Sequence, residues 1–248
     1  MLKPERQSRI LKEINIHNKV FSSDLSLLLT VSEDTIRRDL NELAENDKIL
    51  KVHGGAMSKS FHSVIAKTDF YAEVEKNIIA TKVLSLIHDG MCVLTSSGTT
   101  IRTIVKLLPL DLKATFFTIS PMTAIELNEH PTIEVILLGG KIAKEAQIST
   151  GGKVVEELSQ ISVDLCLLGT NGIDAEFGIT DSEYEIVQVK KAMRKASEKL
   201  AIVTISEKLN TKKKMKVFDL EDIDYLITEL DADNPCFERY NKTGLTIL

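Results

Sequence analysis

Residues 20–56 read VFSSDLSLLLTVSEDTIRRDLNELAENDKILKVHGGA, and the placement of their apolar residues decides how the chain begins to fold. Leu25, Leu28 and Leu29 predict one face of a short helix, with Ser22 or Ser23 as its N-cap. Thr30-Val31-Ser32 interrupts the run, and Ser32 can cap a second helix whose buried stripe is Ile36, Leu40 and Leu43. Two short helices with one apolar stripe each, joined by a brief turn, read as a helix-turn-helix. On the second helix Asp34, Arg38 and Asn41 face away from the stripe, and Thr35 and Arg37 flank it. An arginine that faces outward can reach guanine edges, and one on the flank can hold phosphate. Residues 48–55, KILKVHGG, then predict a short strand pair ending in glycines, a wing beside the helices. The expected fold here is a winged helix-turn-helix over residues 1–57, with double-stranded DNA as partner.

Working outward, residues 4–17 predict a preceding helix with Pro4 in its first turn and Ile10, Leu11 and Ile14 as its packing stripe. Arg6 and Arg9 lie on its other side and read as surface charge. His17-Asn18-Lys19 is a turn in which Asn18 takes a left-handed backbone state. Residues 58–73 show no clean period and read as a linker; Phe61, Val64 and Ile65 supply its apolar contacts, and His62, Lys67 and Thr68 its polar ones. The first 60 residues hold ten Lys or Arg against nine Asp or Glu, and the whole chain of 248 residues carries a net charge of -5. That balance excludes non-specific coating of nucleic acid by a broad basic field, but permits docking through a few arginines. Cys92, Cys166 and Cys236 are odd in number and far apart. They read as small buried residues in a reducing compartment, with neither a disulfide set nor a metal site. No apolar leader follows Met1, so a cytoplasmic location is expected. No cofactor is expected either.

From residue 74 the pattern alternates between strand and helix. Apolar strands are predicted at 91–95, 114–119, 133–138, 163–168, 200–205, 225–228 and 245–248, and helices at 74–87, 99–108, 122–129, 153–160 and 182–199. Ile78, Ile79, Val83 and Leu86 mark the inner face of the first of these helices. Near-continuous apolar strands separated by helices predict a parallel sheet covered on both faces, a three-layer α/β domain over residues 74–248. In such sheets ligands lie beyond the carboxyl ends of the strands. The residues placed there are Ser96-Ser97-Gly98-Thr99-Thr100, Gly139-Gly140-Lys141, Asn171 to Asp174, and Ser206-Glu207-Lys208. Amides and hydroxyls at a helix start suit an anion, lysines add charge, and Asp174 with Asn171 would meet hydroxyls. The pocket predicted is one for a small phosphorylated polyol.

Val31 to Leu40, VSEDTIRRDL, followed by Val52-His53-Gly54-Gly55-Ala56, resembles the N-terminal motif of the DeoR family of bacterial regulators of sugar catabolism. Glu75-Lys76, Asp89-Gly90, Ser97-Gly98-Thr99-Thr100, Leu138-Gly139-Gly140, Gly169-Thr170-Asn171-Gly172 and Gly178-Ile179-Thr180 extend the resemblance to nearly the whole chain. It implies a second domain similar in fold to ribose-5-phosphate isomerase, a sugar-phosphate effector that relieves repression, and a homodimer or higher homo-oligomer. Carried over residue by residue, it implies effector contacts at Gly98, Thr99, Thr100, Gly139, Gly140, Asp174 and Lys208, to which the strand-end reading adds Lys141 and Asn171. The DNA contacts expected are Ser32, Thr35, Arg37, Arg38, Asn41, Lys51, His53, Gly54 and Gly55. Three places depart from the family pattern: Ser96 where aspartate is common, Ser120-Pro121 after the second strand, and Ile205 where an aspartate often precedes Ser-x-Lys.

The function expected is therefore sequence-specific DNA binding by a repressor of a carbohydrate-utilisation operon, released by a phosphorylated sugar, with no catalysis. Two other readings stand beside it: an isomerase-like enzyme with a DNA-binding head, and a regulator whose α/β domain only dimerises. The enzyme needs an acid–base pair near the sugar carbons, and Ser96 and Ile205 leave Asp174 short of carboxylate partners.

Overall fold

The structure, a computed structural model, describes residues 1–17, 19–59, 71–144, 146–241 and 244–248. Asn18 and the linker residues Phe61, His62, Val64, Ile65, Lys67 and Thr68 lie outside the described residues. The chain divides into two compact units, Met1–Tyr71 and Ala72–Leu248.

The first unit runs α1 (Lys3–His17), β1 (Lys19–Phe21), α2 (Ser22–Leu29), α3 (Glu33–Glu45), β2 (Leu50–Val52) and β3 (Gly55–Met57). Ile10 and Ile14 of α1 meet Leu25 and Leu29 of α2, Ile36, Leu40 and Leu43 of α3, and Val20, Ile49 and Ala56 of the wing in one core. The three strands form an antiparallel sheet in the order β1-β3-β2. Ser32 caps α3 by accepting the Thr35 N–H on its hydroxyl at 3.3 Å. Neither Ser22 nor Ser23 caps α2. The N-cap position is Phe21, because the chain enters α2 straight from β1, and the Ser22 N–H is taken by Gly54 O at 2.8 Å. Leu28 also departs from expectation. It is 51% exposed, and α2, only eight residues long, turns just Leu25 and Leu29 inward.

The second unit begins with α4 (Glu73–Leu84), β4 (Cys92–Thr95), α5 (Thr99–Lys106), β5 (Thr115–Thr118), α6 (Pro121–Asn128), β6 (Glu134–Leu137), β7 (Lys141–Ala143), β8 (Ile148–Thr150) and α7 (Gly152–Ser159). It continues with β9 (Val163–Gly169), β10 (Gly172–Asp174), β11 (Gly178–Asp181), α8 (Tyr184–Lys195), β12 (Ser197–Val203), β13 (Met215–Phe218), β14 (Tyr225–Ile227) and β15 (Thr246–Ile247). Seven strands make a parallel sheet ordered β15-β14-β12-β9-β4-β5-β6. The core of its inner strands is apolar, from Leu94 and Phe116 to Cys166, Leu168, Leu200 and Ile202. Among the cysteines only Cys166 is buried; Cys92 and Cys236 are partly exposed.

Two small antiparallel pieces, the β7–β8 hairpin and the sheet β10-β11-β13, stand where the sequence reads as loops. The helix expected at 182–199 stops at Lys195, and β12 already begins at Ser197. Ile78 of α4 is 41% exposed, while Ile79 and Val83 face the core.

Candidate functional site

Two surfaces are candidates, one on each unit. On the first, Ser32, Arg37, Arg38, Asn41, Lys51, His53 and Gly54 are exposed and Thr35 is half-buried. The two arginines differ. Arg37 donates to Glu33 at 2.9 Å and lies 3.6 Å from Asp34, both in the first turn of its own helix. Arg38 has no ion-pair partner among the described residues. Lys51 of the wing donates to Asn41 Oδ1, which ties β2 to α3. Gly55 is buried, and a Cβ there would lie 1.9 Å from Val20 O. Its expected DNA contact therefore has no side-chain surface to act through; the glycine lets β3 close on β1.

Arg6 is not loose surface charge. Its Nε is 2.5 Å from Asp39 Oδ2 and its Nη2 is 3.1 Å from Oδ1, a two-pronged pair that locks α1 to α3. Asp39 is only 2% exposed, so α3 carries a buried carboxylate as well as its apolar stripe. The pairing spans 33 residues of sequence and gives no local signal.

On the second unit the sheet order locates the crevice. From β4 the chain builds outward through β5 to β6, then returns to place β9 on the other side of β4 and continues to β12 and β14. The carboxyl ends of β4 and β9 are thus the point where the winding reverses, and in open parallel sheets ligands lie there. After β4, Gly98 has φ +126 and starts α5, whose first residues are buried Thr99 and half-buried Thr100. After β9, Gly169 O accepts the Lys190 ammonium at 3.2 Å and Thr170 O accepts that of Lys208 at 2.9 Å. Gly169 N–H in turn reaches Ser96 Oγ at 3.5 Å, so the two strand ends touch.

Charge gathers in the same place. Lys190 and Asp181 form a buried pair at 2.8 Å, and Asn171 donates to the other Asp181 oxygen at 3.3 Å. Burial pushes the Asp181 carboxyl up, but Lys190 and its hydrogen bonds prevail, and the group sits below its ordinary value. Burial, followed by the charges of Lys76, Lys190 and Lys213, pulls Lys208 down to about 7 against the opposing effect of Asp181. Lys76, buried on α4, is drawn by desolvation to about 8, with Glu75 and Glu73 opposing. Lysines forced together and out of water favour an anion among them. Sequence reading found Lys208 but missed Lys76, Lys190 and Asp181. The first two lie inside helices and the third ends a strand read as a loop; only the fold brings them together.

The other expected contacts have partners of their own, and the β7–β8 hairpin meets the loop after β4 where Ser97 Oγ donates to Ala146 O at 3.1 Å. Gly139 N–H is bonded to Glu157 at 3.1 Å and a Cβ there would stand in open space, whereas a Cβ on Gly140 would meet Thr150 O at 2.9 Å, so Gly140 serves the close approach of β8. Lys141 sits at the open base of that hairpin and pairs with Glu185 at 3.3 Å. Asp174 is held in the β10–β11 turn, where its Oδ1 accepts the N–H groups of Glu176 and Phe177 at 2.9 and 3.0 Å. These turn bonds keep its carboxyl below the ordinary range.

Residues 6–61 match the DeoR-like helix-turn-helix domain and residues 72–230 the DeoR C terminal sensor domain. The HTH-type transcriptional repressor GlcR of Bacillus subtilis is 33% identical over 100% of this chain and 96% of its own length. The glycerol-3-phosphate regulon repressor of Haemophilus influenzae is 31% identical over 90% of this chain and 88% of its own. Among solved structures, ribose 5-phosphate isomerase A of Neisseria gonorrhoeae aligns over 55% of this chain and 53% of that one, at 16% identity and a TM-score of 0.41. No helix among the described residues is long and apolar enough to cross a membrane.

Proposed function

The chain belongs to the DeoR family of DNA-binding transcriptional regulators, and from that premise we propose that it represses a carbohydrate-utilisation operon and is released by a phosphorylated sugar. The observation that carries the proposal is the lysine cluster at the carboxyl ends of β4 and β9, beside the start of α5. A phosphate dianion there gains charge-assisted hydrogen bonds and relieves the repulsion among Lys76, Lys190 and Lys208. An unphosphorylated sugar does neither. Gly98, Thr99, Thr100 and Lys208 are retained as effector contacts, with Lys76 and Lys190 added. Arg38, Ser32, Thr35, Asn41, Lys51 and His53 are the proposed DNA contacts, with Arg37 on the phosphate backbone.

Release follows from linkage: an effector that prefers the conformation poor in DNA binding must lower DNA affinity by the factor by which DNA lowers its own. The sign comes from relatives described as repressors in Bacillus subtilis and Haemophilus influenzae, though an L-fucose operon activator of Escherichia coli is also similar, at 25% identity. Protection mapping of the purified protein on DNA upstream of its own gene, with and without a panel of sugar phosphates, tests the proposal. The expected result is a repeated or palindromic protected site that one phosphorylated sugar abolishes and its free sugar does not.

A further inference from the structure

We infer that Arg6 and Asp39 are positioning residues for operator reading: their ion pair fixes the rotation at which α3 presents Arg38 and Asn41 to the bases. The inference rests on the DNA contacts proposed above and on no property of the effector site. α1 and α3 share a core in which Ile10 and Ile14 meet Ile36, Leu40 and Leu43. Apolar burial is non-directional, so such contacts hold two helices close without fixing their rotation finely. Two polar pairs add direction. As the chain advances from Lys3 to Arg6 on α1, the partners step back from Glu42 to Asp39 on α3, which marks one antiparallel seam. Lys3 and Glu42 lie in solvent, where a pair contributes little. Arg6 and Asp39 differ. Asp39 is buried, and Nε and Nη2 of Arg6 each donate to one of its oxygens, at 2.5 and 3.1 Å. A fork of this kind constrains plane and angle as well as distance.

The locked residue sits between the reading ones. At 3.6 residues per turn, Arg38 lies about 100° and Asn41 about 160° round the axis from Asp39 on one side, while Ile36, Leu40 and Leu43 lie on the other. Asp39 thus stands at the border of the buried stripe, and pinning it to α1 sets where the outward face points. A side-chain tip stands about 6 Å from the helix axis, so about 10° of rotation moves it by about 1 Å. A paired contact to a base edge tolerates about 0.5 Å, whereas phosphate contacts carry no sequence information. Loosening the pair therefore removes discrimination before general affinity. Stability is the weaker account of the same pair. Desolvating two charges offsets most of their attraction, and apolar side chains of similar size hold buried helices together equally well.

The paired variant Arg6→Met/Asp39→Leu, in the full-length protein, separates the two roles. Its urea midpoint is measured, and its affinity by anisotropy for the duplex that the parent protects upstream of its own gene and for a scrambled duplex of the same length. The expected result is a urea midpoint at or above the parent's, unchanged binding to the scrambled duplex, and an operator preference about tenfold smaller, as the loss of one paired base contact would give. Should the paired variant fail to fold, Arg6→Lys keeps the charge but not the fork, and its operator preference should fall on the order of threefold with scrambled binding again unchanged. An operator preference equal to the parent's in the folded variant overturns the inference and leaves the pair a structural contact. Equal losses on both duplexes overturn it too, and place Arg6 against phosphate. Absence of any protected site in the parent would remove operator reading itself, and the inference with it.

Discussion

Arg38 leaves α3 with no carboxylate partner among the described residues, while its neighbour Arg37 is held back by Glu33 and Asp34. Arg38→Ala should cost about 1–3 kcal/mol on operator DNA and much less on a scrambled duplex, as the loss of a two-pronged base contact would. Arg37→Ala should weaken both duplexes alike. Anisotropy titrations of each variant on the two duplexes check this, and equal losses for Arg38→Ala would move that residue to the backbone. Lys208 gives a pH-dependent prediction. Its pKa falls from 10.5 unfolded to about 7 folded, so between those limits the unfolded chain holds the extra proton. This group therefore makes the unliganded protein more stable as pH rises from about 7 towards 10.5, and contributes no further change below 7. Urea midpoints measured across that range should rise less steeply in Lys208→Met than in the parent. At this scale the exposed face of α3 was legible, because helical spacing alone sorts Arg38 from Ile36. The Arg6–Asp39 lock and the Lys190–Asp181 pair were not, since their partners meet only after folding.

Among the elements, α2 ends under strain. Thr30 has φ +54 at the C-cap, where its N–H bonds Ser26 O, and a β-branched residue in the left-handed region is disfavoured. Its side chain is exposed, so Thr30→Gly removes the strain without losing packing. The substitution should stabilise the protein by about 1 kcal/mol, less the extra freedom glycine has when unfolded. A urea midpoint unchanged or lowered in Thr30→Gly would refute the account of this turn. The element types were largely readable: period 3.6 in α3 and continuous apolar runs in β4, β9 and β12 identify themselves. The β7–β8 hairpin and the β10-β11-β13 sheet were not, because strands of three or four residues bounded by glycine look like loops. The α8–β12 boundary failed for a related reason. Glu198 and Lys199 are exposed at the start of β12, so the charge pattern of the helix runs on into the strand.

For the whole molecule, the near-balance of charge in the first unit leaves little general affinity for DNA. We propose that tight binding engages two heads on one operator through association of the second units, which a repeated protected site in the mapping experiment would support. The crevice position follows from sheet order, which strand prediction alone cannot supply; sequence named several strand ends but could not tell β9, beside β4, from the edge strand β6. Gly139, Gly140 and Lys141 follow β6, so grouping them with the loops after β4 and β9 rests on strand ends and not on sheet order. The central claim is that a phosphorylated ligand at the lysine cluster controls DNA binding. The most direct measurement is operator anisotropy with the full-length protein, titrated with a sugar phosphate, with its free sugar, and again with the sugar phosphate in Lys208→Met. The account predicts loss of operator binding with the phosphorylated ligand alone, and none in the variant, whose basal operator affinity stays as in the parent. Equal responses to the free sugar and its phosphate, or a full response in Lys208→Met, would contradict it.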